Sequence, residues 1–102
     1  MSIDKKIYKK LLEVPKGKIT TYGRVAALAG SPRAARAVGY ALGALQDNEL
    51  QNVPWQRVIN AAGRISFKGD LIRAELQKKM LQAEGIVFDE NGITDINQFG
   101  WP

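Results

Sequence analysis

A chain of 102 residues, 45% hydrophobic and 25% charged, suffices for one domain around one modest core. It has no cysteine and no histidine, which excludes disulfides, thiolate nucleophiles, Cys/His metal sites and imidazole acid–base chemistry together. The net charge of +5 lies entirely in the first half: residues 1–50 hold nine Lys/Arg against four Asp/Glu, and residues 51–102 hold six against six. Such a basic half-domain points to a polyanion, because phosphate contacts add affinity without reading sequence; charge kept for solubility is the plain alternative. No apolar run is long enough for a signal peptide or a membrane span, so a cytoplasmic protein without membrane contact is expected.

Taken in chain order, Asp4 is placed to cap a first helix carrying Ile3, Ile7, Leu11 and Val14 on one face. Pro15-Lys16-Gly17 ends it. Thr20 or Thr21 caps a second helix through Ala29, with Val25, Ala26 and Leu28 as its apolar contacts and Gly30 as its stop. Ser31 caps a third helix from Arg33 to Leu45, with Pro32 in the first turn, where its missing N–H costs nothing. Two helices across a short glycine turn make a helix-turn-helix. The first two turns of the third helix are nearly all Ala and Gly apart from Arg33 and Arg36. Its backbone can therefore come close to another surface, or simply pack tightly on its neighbours.

Residues 46–52 read as a polar loop, followed by a short buried passage from Val53 to Ile59 and a turn at Asn60-Ala61-Ala62-Gly63. Asp70 caps a last long helix from Leu71 to Glu84, closed by Gly85, with Ile72, Leu76, Met80 and Ala83 repeating at near-helical spacing. Ile86-Val87-Phe88 and Ile93-Thr94, split by Asp89-Glu90-Asn91-Gly92, predict a small hairpin. Phe99 and Trp101 are placed to cover an edge of the core.

Five segments in this order form a pattern: Pro15-Lys16-Gly17-Lys18, Thr21-Tyr22-Gly23, Pro32-Arg33-Ala34-Ala35-Arg36-Ala37-Val38-Gly39, Pro54-Trp55-Gln56-Arg57-Val58-Ile59 and Glu84-Gly85. Together they resemble the C-terminal domain of the O6-alkylguanine-DNA alkyltransferases and, within that family, the alkyltransferase-like proteins. The resemblance implies a mainly α fold with a small β element, a winged-helix-like helix-turn-helix domain filling residues 1–102. It also implies a role for each matching residue. Arg36 matches the arginine that enters the stack in place of an extruded nucleotide, and Tyr22 the tyrosine that presses on the 3′ phosphate. Gly23, Ser31, Arg33, Ala34, Ala35 and Gly39 join them on the DNA side, with the recognition helix in the minor groove. Val53, Pro54, Trp55 and Arg57, with Phe67 and Lys68 opposite, are implied to form the base pocket.

In the active members of the family a Pro-Cys-His-Arg-Val signature supplies the alkyl acceptor, activated by the histidine and a distal glutamate. Here Trp55 takes the cysteine position and Gln56 the histidine position. An indole N–H is a donor without useful nucleophilicity, and an amide takes no proton at neutral pH, so Glu84 has nothing to activate. The expectation is a monomer without cofactor or metal. It would bind double-stranded DNA containing O6-alkylguanine, flip the base without removing the alkyl group, and flag the lesion to a damage-sensing protein of nucleotide excision repair. The polar face of the last helix and the C-terminal tail are the surface left for that partner. Three departures stand against the family pattern: Asp47-Asn48 lacks the hinge proline, Ser31 replaces a common asparagine, and the loop between Gly63 and Gly69 is a residue shorter than in some enzymes. A helix-turn-helix transcription regulator is the competing reading, though few long polar side chains face base edges. A hydrolytic enzyme using Glu84 or Asp70 would lack a partner base, a metal and an oxyanion site.

Overall fold

A computed structural model describes residues 3–45, 52–66 and 71–102. Among these residues the elements are α1 (Ile3–Leu11), β1 (Thr20–Thr21), α2 (Tyr22–Leu28), α3 (Ala35–Gly43), a single 3-10 turn (Trp55–Arg57), β2 (Val58–Ile59), α4 (Leu71–Ala83) and α5 (Ile96–Phe99). The two strands run parallel, Thr20 paired with Val58 and Thr21 with Ile59. The domain is mainly helical with one small β element, as the resemblance implies. Among the described residues no helix is long and apolar enough to cross a membrane.

The core has two parts, one on each side of this strand pair. Helices α1, α2 and α3 bury Ile7, Leu11, Val25, Ala26, Val38 and Leu42 together with Trp55 and Val58. Ile19, Ile59, Leu81 and Ile86 form the second cluster, and Phe88, Ile96 and Phe99 pack against it. Phe99 thus covers a core edge as expected, and the tail is pinned further by backbone bonds from Ile19 N to Phe99 O (2.9 Å) and from Trp101 N to Ile19 O (2.8 Å). Helix α5 has no counterpart among the sequence expectations. Its cap is ordinary: Asp95 accepts from the amides of Asn97 and Gln98.

Several local expectations hold. Thr21 is the N-cap of α2 and accepts from the Arg24 amide, and Gly30 takes a φ of +88°. The Asn60–Gly63 turn closes through Asn60 Oδ1, which accepts from the amides of Ala62 and Arg64. The hairpin is reduced to one antiparallel bridge, Phe88 to Thr94.

Others need correction. Asp4 lies inside the first turn of α1 instead of capping it, where its charge complements the helix dipole. Ser31 does not cap α3: its carbonyl accepts from the Ala34 amide in a tight turn, and the helix starts at Ala35 with Ala34 as a cap that offers no side-chain bond. Leu28 is exposed. The inward face of α4 is the largest correction. Ile72 is 85% exposed, Leu76 and Ala83 face solvent, and the buried positions are Gln77 and Leu81. Hydrogen bonding sets this rotation: Gln77 Nε2 donates to the carbonyls of Gln56 (2.9 Å) and Val58 (2.8 Å), and Arg73 donates to Leu42 O (3.0 Å). The irregular passage leading into β2 has buried carbonyls without ladder partners, and an amide side chain supplies them. The Asp70 cap and residues 46–51 of the polar loop predicted over 46–52 lie outside the described residues.

Gly63 shows how tightly the hairpin is seated. Its φ is +82°, and an added Cβ would stand 2.5 Å from the Thr94 carbonyl oxygen. Gly63→Ala is expected to cost about 2 kcal/mol or more and to lower the thermal midpoint by roughly 10 °C. Gly92 has a similar φ of +77° with nothing within 4 Å of the added atom, so Gly92→Ala should cost only about 1 kcal/mol. Melting curves of both variants compare clash with backbone strain; equal losses would mean the Thr94 contact is unimportant.

Candidate nucleic-acid interface

Tyr22 opens α2 directly after β1, so the strand pair and the Thr21 cap fix where its ring starts. Its hydroxyl accepts a hydrogen bond from Ser66 Oγ at 3.3 Å. Between this pair and α3 lies an open groove of about 600 Å³, lined by Tyr22, Ala35, Arg36, Gly39, Tyr40, Gly43 and Ser66. On α3, Ala35, Gly39 and Gly43 recur every four residues and form the floor, while Arg36 and Tyr40 form a ridge beside it. A Cβ added at Gly39 or Gly43 would meet nothing within 4 Å. Neither glycine is required by packing within the described chain, although each costs about 1 kcal/mol of helix propensity relative to alanine. Arg33, in the turn before α3, and Arg36 are both exposed, and among the described residues neither guanidinium has a hydrogen bond or ion pair.

Trp55 is placed differently. It is 1% exposed, a member of the three-helix core cluster, with the Arg73 guanidinium carbon 5.0 Å from its ring centroid. Val53, Pro54 and Arg57 border a separate depression of about 290 Å³ that also includes Leu12 and Met80. Of the four residues implied as one pocket wall, Trp55 is buried in the core, Val53 packs partly against the same cluster, and Pro54 and Arg57 are half-buried along that depression. Arg57 donates through Nε to Glu84 Oε1 (2.9 Å) and through a terminal nitrogen to Val14 O (2.7 Å).

Glu84 gathers three donors. Besides Arg57, Gln56 Nε2 reaches its Oε2 at 2.8 Å, and the Gly17 amide reaches its Oε1 at 3.0 Å. Burial raises the Glu84 pKa, but the hydrogen bonds from Arg57, Gly17 and Gln56, aided by the Arg57 charge, outweigh it and hold the carboxyl below its ordinary value. The residue implied to be an idle activator is therefore a brace joining the Gly17 turn, the Trp55–Arg57 turn and the end of α4.

Of the implied DNA-side residues, the structure brings Tyr22, Ala35, Arg36 and Gly39 to one groove. Gly23 is exposed, Ser31 is half-buried, and Ala34 packs partly against the three-helix core. Phe67 and Lys68 lie outside the described residues. The sequence reading missed Tyr40, Gly43 and Ser66. The first two stand four residues beyond Arg36 and Gly39, a helical spacing that would have found them; Ser66 meets Tyr22 only through the tertiary fold.

The family described as 6-O-methylguanine DNA methyltransferase, DNA binding domain, matches residues 2–86. The DNA base-flipping protein of Vibrio parahaemolyticus is 46% identical over 96 residues, 93% of this chain and 91% of the relative. Alkyltransferase-like protein 1 of Schizosaccharomyces pombe is 41% identical over 81 residues, 79% of this chain and 73% of the relative. The crystal structure of S. pombe Atl1 in complex with damaged DNA containing O6-carboxymethylguanine superposes with a TM-score of 0.86 at 34% identity, covering 98% of this chain and 94% of that one. On these matches the chain belongs to the 6-O-methylguanine DNA methyltransferase DNA-binding-domain family, among its alkyltransferase-like members.

Proposed function

We propose that this protein binds duplex DNA carrying an O6-alkylated guanine, turns the damaged nucleotide out of the stack, and leaves the alkyl group where it is. The observation that carries this reading is the groove in which Tyr22 and Arg36, unpaired among the described residues, flank a floor of Ala35, Gly39 and Gly43. Glycines that no contact among the described residues demands suit a helix whose backbone must approach another surface closely. A minor groove is such a surface, and Arg36 supplies the side chain to fill the place of an extruded base. Flipping costs a few kcal/mol and costs least for a base that pairs badly, as an O6-alkylguanine does. The lesion thus selects itself.

Transfer chemistry has no acceptor here. In the cysteine position stands Trp55, buried, and the neighbouring Gln56 is held by Glu84. We assign the protein no enzymatic activity. A lesion bound but unrepaired is useful only if another protein reads it, which supports hand-over to a damage sensor of nucleotide excision repair.

The test uses two duplexes that differ only in O6-methylguanine against guanine, at one fixed salt concentration, with wild type and Arg36→Ala, followed by analysis of the recovered DNA. Wild type should prefer the lesion, Arg36→Ala should lose roughly 10-fold or more on the lesion duplex, and the methyl group should remain on the DNA. Equal affinity for both duplexes would overturn the reading and favour a general DNA binder; methyl loss would restore an enzymatic one.

A further inference from the structure

The ridge beside the glycine floor has two members, Arg36 and Tyr40. Tyr40 follows Arg36 by four residues on the same face of α3 and lines the same groove. It is 71% exposed, and among the described residues it is the one aromatic side chain left so far open to solvent. Its hydroxyl has no hydrogen bond among them, so no internal contact accounts for its position. Helix α3 carries no acidic residue, and nothing on it repels a phosphate backbone.

An exposed aromatic ring is an amphipathic surface of the kind that stacks on sugars and bases, and minor-groove proteins insert such wedges between base steps. Four residues of α-helix advance about 6 Å. Base steps repeat every 3.4 Å or so along one strand. With α3 lying along the groove, the Tyr40 ring therefore reaches about two steps beyond the position that Arg36 fills. We propose that Tyr40 is a second DNA-contacting side chain of the recognition helix. Its ring presses on the sugar and base edges that are uncovered when the duplex is opened and bent around the extruded nucleotide. This inference rests on the base-flipping reading above.

The experiment measures affinity of Tyr40→Ala and Tyr40→Phe for the O6-methylguanine duplex and for its guanine counterpart across a range of salt, with Arg36→Ala alongside. Tyr40→Ala should weaken lesion binding by roughly 5- to 50-fold, with a clearly smaller loss on the guanine duplex. Tyr40→Phe should keep nearly full affinity, and the dependence on salt should not change, because a stacked ring neutralises no phosphate. Unaltered melting temperatures will confirm that both variants fold. Three results would overturn the proposal: wild-type affinity in Tyr40→Ala, equal losses on the two duplexes, or a loss in Tyr40→Phe that matches the alanine variant. The last would point to a phosphate contact through the hydroxyl. If wild type shows no lesion preference and Arg36→Ala no loss, it is the base-flipping reading that fails.

Discussion

Glu84→Ala is expected to destabilise the protein by about 3 kcal/mol, the low end of the cost of removing one partner from a buried ion pair, because this pair is partly exposed. The Glu84 side chain is only 8% exposed and its partner Arg57 16%, so the guanidinium left behind cannot regain full hydration. The Gly17 amide and the Gln56 side-chain amide lose their acceptor as well. Domains of this size are stable by only about 5–15 kcal/mol, and the loss should be plain in a denaturant titration. Glu84→Gln, which keeps an acceptor oxygen but no charge, should cost clearly less.

The same carboxylate predicts a pH dependence. Its folded pKa lies below the ordinary 4.5, so the unfolded state binds its proton first. The stabilisation is therefore complete above the unfolded value and is lost as pH falls through the lower folded value. Wild type should lose stability below about pH 4.5 more steeply than Glu84→Gln, as read from denaturant midpoints taken along an acid series. Parallel acid limbs would show that folding does not favour the ionised form.

Trp55→Ala should cost a similar amount, about 3–5 kcal/mol, from lost burial and the cavity left behind. The indole packs with Val38, Leu42 and Val58 and lies under the Arg73 guanidinium, a contact worth about 1 kcal/mol more. Trp55→Phe should retain most of the packing and lose roughly 1–2 kcal/mol. Unfolding both variants in urea gives the comparison. A loss below about 1 kcal/mol for alanine would mean that the indole does not support the core.

The helix-turn-helix was legible because its signals are local: a threonine cap at Thr21, a left-handed glycine at Gly30, and apolar spacing in α2 and α3. Ser31 misled because serine before proline also favours a turn, and here the turn's carbonyl bond to Ala34 took precedence over a side-chain cap. The face of α4 was misread for a different reason. Counting apolar residues put Ile72 and Leu76 inward, whereas the inward positions include Gln77, which bonds to Gln56 and Val58 across the fold. Hydrophobic periodicity has no register for a buried amide. Glu84 was identified, but its work depends on the Gly17 amide 67 residues away, which no local pattern encodes. For the site itself, Tyr22, Ala35, Arg36 and Gly39 were named from the sequence and share one groove. Tyr40 carries no local mark of its exposure, because an aromatic at helical spacing is as compatible with the core face as with the surface.

The two-rung parallel pair of β1 and β2 sets the terms on which such a domain can diversify. Tyr22 directly follows one strand and the Trp55–Arg57 turn directly precedes the other, so a single seam holds both. Because side chains alternate along a strand, a one-residue slip in either would exchange inward for outward positions on that strand. Insertions and deletions here would shift the groove residue Tyr22 and the core residue Trp55 at once, whereas side-chain exchanges leave the frame intact. Side chains borne on this seam can therefore be exchanged while the backbone that carries Tyr22 and the Trp55–Arg57 turn stays in register.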